Sequence, residues 1–163
     1  MQYRDNFPHH GKLEWIGIRP QRGAEMEIVA SAIIDQQGLQ GDFFSGPEGA
    51  PRAVTLIQAE HLPVVAAILR RESLSAHLIR RNLVVSGINL QSLKQRAFRI
   101  GDAVLFGTGN CAPCGQMETQ LGQGGFNAMR GHGGITARVI SGGLITVGDQ
   151  VGVVAAEPKQ AGC

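Results

Sequence analysis

The chain has 163 residues, 43% hydrophobic and 17% charged, with a formal net charge of +2. That composition excludes a disordered chain, and the charge is too small to support phosphate-driven nucleic-acid binding. No like-charge tail, membrane-length apolar run or secretory apolar stretch in residues 1–10 occurs, so a cytoplasmic protein with no nucleic-acid or membrane partner is expected.

Twenty-three glycines and only 5% aromatic residues point to many turns joining short strands. Residues 12–18 read as a strand that Pro20 ends, and residues 26–34 as one longer strand. Residues 35–51 are glycine-rich and aperiodic, a loop with Asp42 placed to cap or fix it. A β-rich strand follows at 52–57. Residues 60–71 predict a helix with Leu62, Ala66, Ile68 and Leu69 on its apolar face. Pro63 falls in its first turn, and Arg70 and Arg71 complement its C-terminal dipole. A short helix at 75–80 and a strand at 82–86 come next, then strand residues at 98–107 around the turn Gly101-Asp102. Residues 108–134 are glycine-rich and polar, with a short helix at 116–121. Finally, 135–141 and 144–147 flank Gly142-Gly143 and predict a hairpin with a primed turn. Strands dominate and no regular strand–helix–strand alternation appears. The expected fold is mainly β (α+β): a closed or half-closed barrel with a few peripheral helices. One domain over 1–163 is expected, its core at about 11–151.

Chemistry concentrates on the cysteines. Cys111 and Cys114 form a CxxC, while Cys163 is the last residue. A structural zinc site needs four ligands, and no second CxxC supplies them, even if His132 joins. A dithiol redox pair wants a strand–helix–strand context that is missing here. The third use of the spacing is one activated cysteine beside a less essential one, able to bind a metal or carry sulfur as a persulfide. Cys114 suits that role, because it follows a strand and precedes a helix start, where the dipole favours thiolate. The plain alternative is two small buried hydrophobes.

Other candidates are weaker. Arg80-Arg81-Asn82 is either a solvated helix end or a holder of an anionic ligand and its ring edge. Arg52 and Thr55, around the strand after the long loop, are candidates for a second phosphate contact. In residues 127–134, glycines allow close backbone approach to an anion, with Arg130 for charge and His132 as a proton relay, or else they form a mobile loop.

The order Gly38-Leu39-Gln40-Gly41-Asp42, Arg52-Ala53-Val54-Thr55, Arg80-Arg81-Asn82, Phe98-Arg99-Ile100-Gly101-Asp102 and Cys111-Ala112-Pro113-Cys114 resembles the MOSC domain family. That family comprises the C-terminal module of molybdenum cofactor sulfurases and small stand-alone bacterial proteins. The resemblance covers about 11–151. It implies a MOSC-type β-barrel and a role with the molybdenum cofactor (molybdopterin) or in sulfur transfer. It further implies that Cys114 ligates molybdenum and that Arg81, Asn82 and Arg80 hold the pterin and its phosphate, with Thr55 matching more loosely. The chain has no desulfurase domain, so pyridoxal phosphate is expected only on a partner cysteine desulfurase. Three functions follow as expectations: reduction of N-oxygenated compounds with an external electron-transfer reductase, persulfide carriage, or non-catalytic binding of an anionic ligand.

Overall fold

The structure, a computed structural model, describes residues 2–44 and 46–155. Cys163 lies outside the described residues. Eleven strands, three short α-helices and three 3₁₀ turns are assigned among them.

Seven strands close into a barrel. In order around it they are β1 (Gly11–Ile18), β11 (Gln150–Val153), β7 (Ala97–Ile100), β8 (Ala103–Asn110), β9 (Ile135–Ser141), β5 (Val54–Gln58) and β6 (Leu83–Ser86), which returns to β1. β2 (Glu27–Val29) hangs on the edge of β1. Every barrel pairing is antiparallel except β5 with β6. Full closure leaves the barrel no open sheet edge. A second, three-stranded sheet packs alongside, with β10 (Gly143–Thr146), β3 (Ser31–Asp35) and β4 (Gly38–Leu39) in that order.

Alternation sorts the side chains into two cores. Leu56, Leu83, Val85, Leu105, Ala137 and Val151 fill the barrel interior. On the outer face of β5 and β6, Ile57 and Val84 pack with the helices through Val65, Ile79, Met117, Leu121 and Met129. Both faces of this parallel pair are therefore covered, which explains its near-continuous apolar sequence. The pair is joined by α1 (His61–Ile68) and the 3₁₀ turn Ala76–Ile79, a single strand–helix–strand crossover in an otherwise antiparallel barrel. α2 (Gly115–Leu121) and α3 (Gly125–Met129) complete the helical layer.

Several expectations are corrected. The strand expected over 26–34 is broken at Ala30. Its first part pairs with β1 and its second with β10, so one apolar run serves two sheets. The hairpin expected around Gly142-Gly143 does not form: β9 stays in the barrel between β8 and β5, whereas β10 pairs with β3. These glycines make a corner between sheets. α1 is shorter than 60–71, stopping before Arg70, whose φ is 55°. Its buried residues are Val65 and Ala66, and Ile68 faces solvent. Arg71 reaches α2 instead of its own helix end, donating from Nη2 to the Leu121 carbonyl at 2.6 Å. α3 was not expected from sequence. Its first turn is capped from α2 by the Glu118 carboxylate, which accepts the Gly124 and Phe126 N–H groups at 2.6 and 2.9 Å. Those two bonds hold the Glu118 pKa below the ordinary value.

Candidate functional site

β8 ends at Asn110, and the chain runs through Cys111-Ala112-Pro113 to Cys114, the N-cap residue of α2. The two thiols are placed differently. Cys111 is 4% exposed, whereas Cys114 is exposed and its side chain makes no cap hydrogen bond. The Cys111 N–H donates to the Gly134 carbonyl at 2.9 Å, and the Cys114 carbonyl accepts the Met117 N–H at 2.9 Å. One sulfur is thus turned into the fold, and the other is presented on a loop fixed from both sides.

The fixing group is Arg81. It is 5% exposed, and its guanidinium donates to three backbone carbonyls: Nε to Gly133 at 2.9 Å, Nη1 to Ile79 at 2.9 Å, and Nη2 to Cys111 at 3.3 Å. It therefore ties the segment before β6, the glycine loop before β9 and the cysteine loop together. The glycines at 133 and 134 permit this approach. A Cβ at Gly133 would meet the Cys111 carbonyl, one at Gly134 would meet the Leu56 carbonyl, and Gly134 has φ of +85°. Among the described residues Arg81 has no carboxylate in a salt bridge. Burial lowers its pKa from the ordinary value, the charges of Cys111 and Cys114 oppose that lowering, and Arg52 and Arg19 add to it.

Asn82 and Thr55 lie behind this clasp and are also buried. Asn82 Oδ1 accepts from the Thr55 N–H at 3.3 Å and Oγ1 at 3.1 Å, while the Asn82 N–H donates to Thr55 Oγ1 at 3.0 Å. Asn82 Nδ2 donates to the Gly17 carbonyl at 3.2 Å. The two side chains thereby lock β5, β6 and β1 together. Their polar atoms are spent on the fold rather than held toward the cysteine loop.

Arg80 is in the left-handed region, with φ of 59°. It is 9% exposed, and its Nη1 donates to the Ala24 carbonyl at 2.8 Å. Burial and then the Arg19 charge lower its pKa, while Asp42 and Cys114 act in the other direction. Arg80 is therefore an electrostatic neighbour of Cys114. Arg52 is exposed just before β5. Arg19 was not singled out from sequence. It receives no local motif, and only the fold brings it to Asp42, whose carboxylate accepts from Arg19 N, Nε and Nη2 at 2.8, 3.1 and 2.8 Å. Asp42 does fix its loop in this way, and its charge is committed to Arg19. The neighbourhood of Cys114 is left with an excess of guanidinium charge.

Arg130 is exposed and faces the Cys111–Pro113 segment across a cleft of about 300 Å³. His132 is turned elsewhere. Its Nδ1 lies 3.1 Å from the Ala128 carbonyl, and its ring meets His61 edge-on with centroids 5.5 Å apart. No group of three or more metal-binding His, Cys, Asp or Glu side chains occurs among the described residues. The described residues therefore bring no set of protein ligands for zinc around Cys114. No helix among the described residues is long and apolar enough to cross a membrane.

Comparison with known proteins agrees with the barrel. No curated protein sequence matches the chain. Among solved structures, the YUAD protein from Bacillus subtilis superposes with a TM-score of 0.77 at 20% identity, over 88% of this chain and 94% of that one. YiiM from Escherichia coli gives a TM-score of 0.70 at 18% identity, over 92% and 72%. YiiM from Geobacillus stearothermophilus gives 0.71 at 16%, over 89% and 75%. These likenesses are likenesses of fold. The MOSC domain matches residues 40–152, from the Asp42 loop through β11, and the chain belongs to the MOSC domain family.

Proposed function

We propose that this chain binds the molybdenum cofactor, with the Cys114 thiolate as the protein ligand to molybdenum, and reduces N-oxygenated or N-hydroxylated small molecules. The observation that carries this reading is the exposed Cys114 thiol on a loop held by the buried Arg81 guanidinium, with the exposed Arg130 across the cleft from Cys111–Pro113. The donor chemistry fits: a soft thiolate suits such a metal, and guanidinium groups suit the phosphate of a pterin. When bound, the cofactor supplies a two-electron centre able to accept an N–O oxygen. The chain's own residues divide the remaining work. Cys114 ligates. Arg80 and Arg52 hold the phosphate, and Arg130 approaches from the cleft along Cys111–Pro113. Arg81 fixes the height of the cysteine loop, while Asn82 and Thr55 brace the strands beneath it. Converting an N-hydroxylamine to its amine and water takes two electrons and two protons, so a separate reductase must deliver the electrons. The test is metal and pterin analysis of protein loaded anaerobically, with Cys114→Ser in parallel. The variant is expected to retain less than roughly a tenth of the molybdenum. Equal molybdenum in both proteins removes the ligand role.

The exposure of Cys114 also supports a second reading, as a sulfur carrier. The Cys114 thiolate would attack the outer sulfur of a partner desulfurase's persulfide. A new S–S bond forms on Cys114, the donor's S–S bond breaks, and the donor departs as its thiolate. Pyridoxal phosphate is then needed only on that partner. Cyanide-releasable sulfur on the wild type and none on Cys114→Ser, after incubation with a desulfurase and cysteine, is the expected result. Absence of such sulfur with several donors counts against it.

A further inference from the structure

We infer that the cleft between the N-terminal segment and the loop over residues 87–96 is a second ligand site, suited to an aromatic anion of the nucleoside monophosphate class. The cleft measures about 680 Å³, within the range of roughly 300–1,000 Å³ usual for small-molecule sites. Neither Cys111 nor Cys114 lines it.

Both walls are held in place by the fold. On one side, Arg96 straps down the N-terminal segment: Nη1 donates to the Arg4 carbonyl and Nη2 to Asp5 Oδ1, each at 2.6 Å. The guanidinium carbon of Arg96 also stands 5.6 Å from the centre of the Phe7 ring, and Phe7 packs on the barrel core. On the other side, Leu90 and Leu93 anchor the loop in the core. Gln58 Oε1 accepts the Leu90 N–H at 3.1 Å, and Glu60 Oε1 accepts the Gly87 N–H at 2.6 Å. A site preformed in this way binds without first ordering its own backbone.

The chemistry of the lining selects the ligand. Arg4, Lys94 and Arg96 line the cleft, and among the described residues neither Arg4 nor Lys94 is in a salt bridge, the Lys94 ammonium resting on the Asn110 side chain. Glu60 is the one carboxylate in the lining, and it is already engaged with Gly87. The balance favours an anion. Tyr3 is 67% exposed in the same wall, a flat surface on which a ring can stack. Asn6, Gln91 and Ser92 offer donors and acceptors to a heterocycle's edge. Charge, an aromatic platform and amides together describe a phosphorylated heteroaromatic better than a bare anion or an apolar molecule. The site also borders the cysteine loop. Gln91 lines both this cleft and the smaller one along Cys111–Pro113, and Lys94 Nζ donates to Asn110 Oδ1 at 3.2 Å.

Calorimetric titration of the intact chain at low salt with adenosine monophosphate, guanosine monophosphate, adenosine and inorganic phosphate tests the assignment. Saturable binding of a monophosphate, at least about tenfold tighter than either adenosine or phosphate, is expected. Arg4→Ala, Lys94→Ala and Tyr3→Ala should each weaken it by roughly fivefold or more, whereas Cys114→Ser should leave it unchanged. That last arm separates this site from the cofactor reading. No saturable binding of either monophosphate, phosphate binding as tightly as the nucleotides, or indifference to the three cleft variants would overturn it.

Discussion

Two polar groups flank the cysteine loop, and they do opposite things with the same kinds of side chain. Behind the loop, Arg81, Asn82 and Thr55 are buried and bonded to backbone and to one another. At its lip, Cys114, Arg52 and Arg130 are exposed, and no side-chain hydrogen bond holds any of them among the described residues. The first set shapes the site and the second is available to bind. The difference teaches that residue type alone does not separate recognition from bracing. What separates them is whether the polar atoms are already satisfied within the fold.

The comparison can be broken at Arg81 first. Arg81→Ala leaves three buried carbonyls without their donor and should cost about 3 kcal/mol, read as a lowered urea midpoint. Arg81→Lys should rescue little, because an ammonium cannot span three divergent carbonyls. Near-normal stability in both would mean that Arg81 is held for a ligand after all. Asn82→Ala should cost about 2 kcal/mol by removing the acceptor of the Thr55 hydroxyl proton and the side-chain donor to the Gly17 carbonyl. If molybdenum content per folded molecule is retained in that variant, Asn82 is a brace; if it collapses at unchanged stability, Asn82 is a contact. The cysteines should divide in the same manner. Cys111→Ser should lose about 1 kcal/mol by placing a hydroxyl in a buried pocket, while Cys114→Ser should move stability by less than about 0.5 kcal/mol in denaturant titrations.

The smallest expected effect concerns pH. Partial burial, followed by the His132 charge, lowers the His61 pKa from 6.5, and Glu60 acts against them. The unfolded chain therefore binds more protons than the native one as the pH drops below about 6.5, so stability is lost on acidification and not on alkalinisation. His132→Gln removes one of those causes and should make the acid-side fall in Tm shallower. Identical profiles for the variant and the wild type would show that the ring pair is not electrostatically linked.

The barrel was readable because alternating apolar runs and glycine turns are local signals. The breaks were not. Nothing around Ala30 marks it as the point where one run is divided between two sheets; that depends on β10 arriving from the far end of the chain. Gly142-Gly143 has the composition of a hairpin turn, yet β5 and β8 already occupy both edges of β9. α3 is only five residues long, and its cap comes from Glu118 in the preceding helix. In the site, the motif singled out Cys114 over Cys111, and the structure buries Cys111 and exposes Cys114. That Arg81 would be consumed by carbonyls, and that Arg19 would join from the end of β1, could not be foreseen, because both follow from tertiary approach.

The stave between β1 and β11 has a further consequence. Gly11 lies opposite Val151, so the barrel is sealed by strands from the two ends of the described chain. Because β1 must pair with β11, closing the cylinder depends on a contact between strands far apart in sequence, which makes folding a non-local and comparatively slow event. The same proximity should make the molecule tolerant of circular permutation. A short linker from β11 to β1, with new ends opened between β4 and β5, would keep all seven barrel strands and make the β1–β11 pairing local.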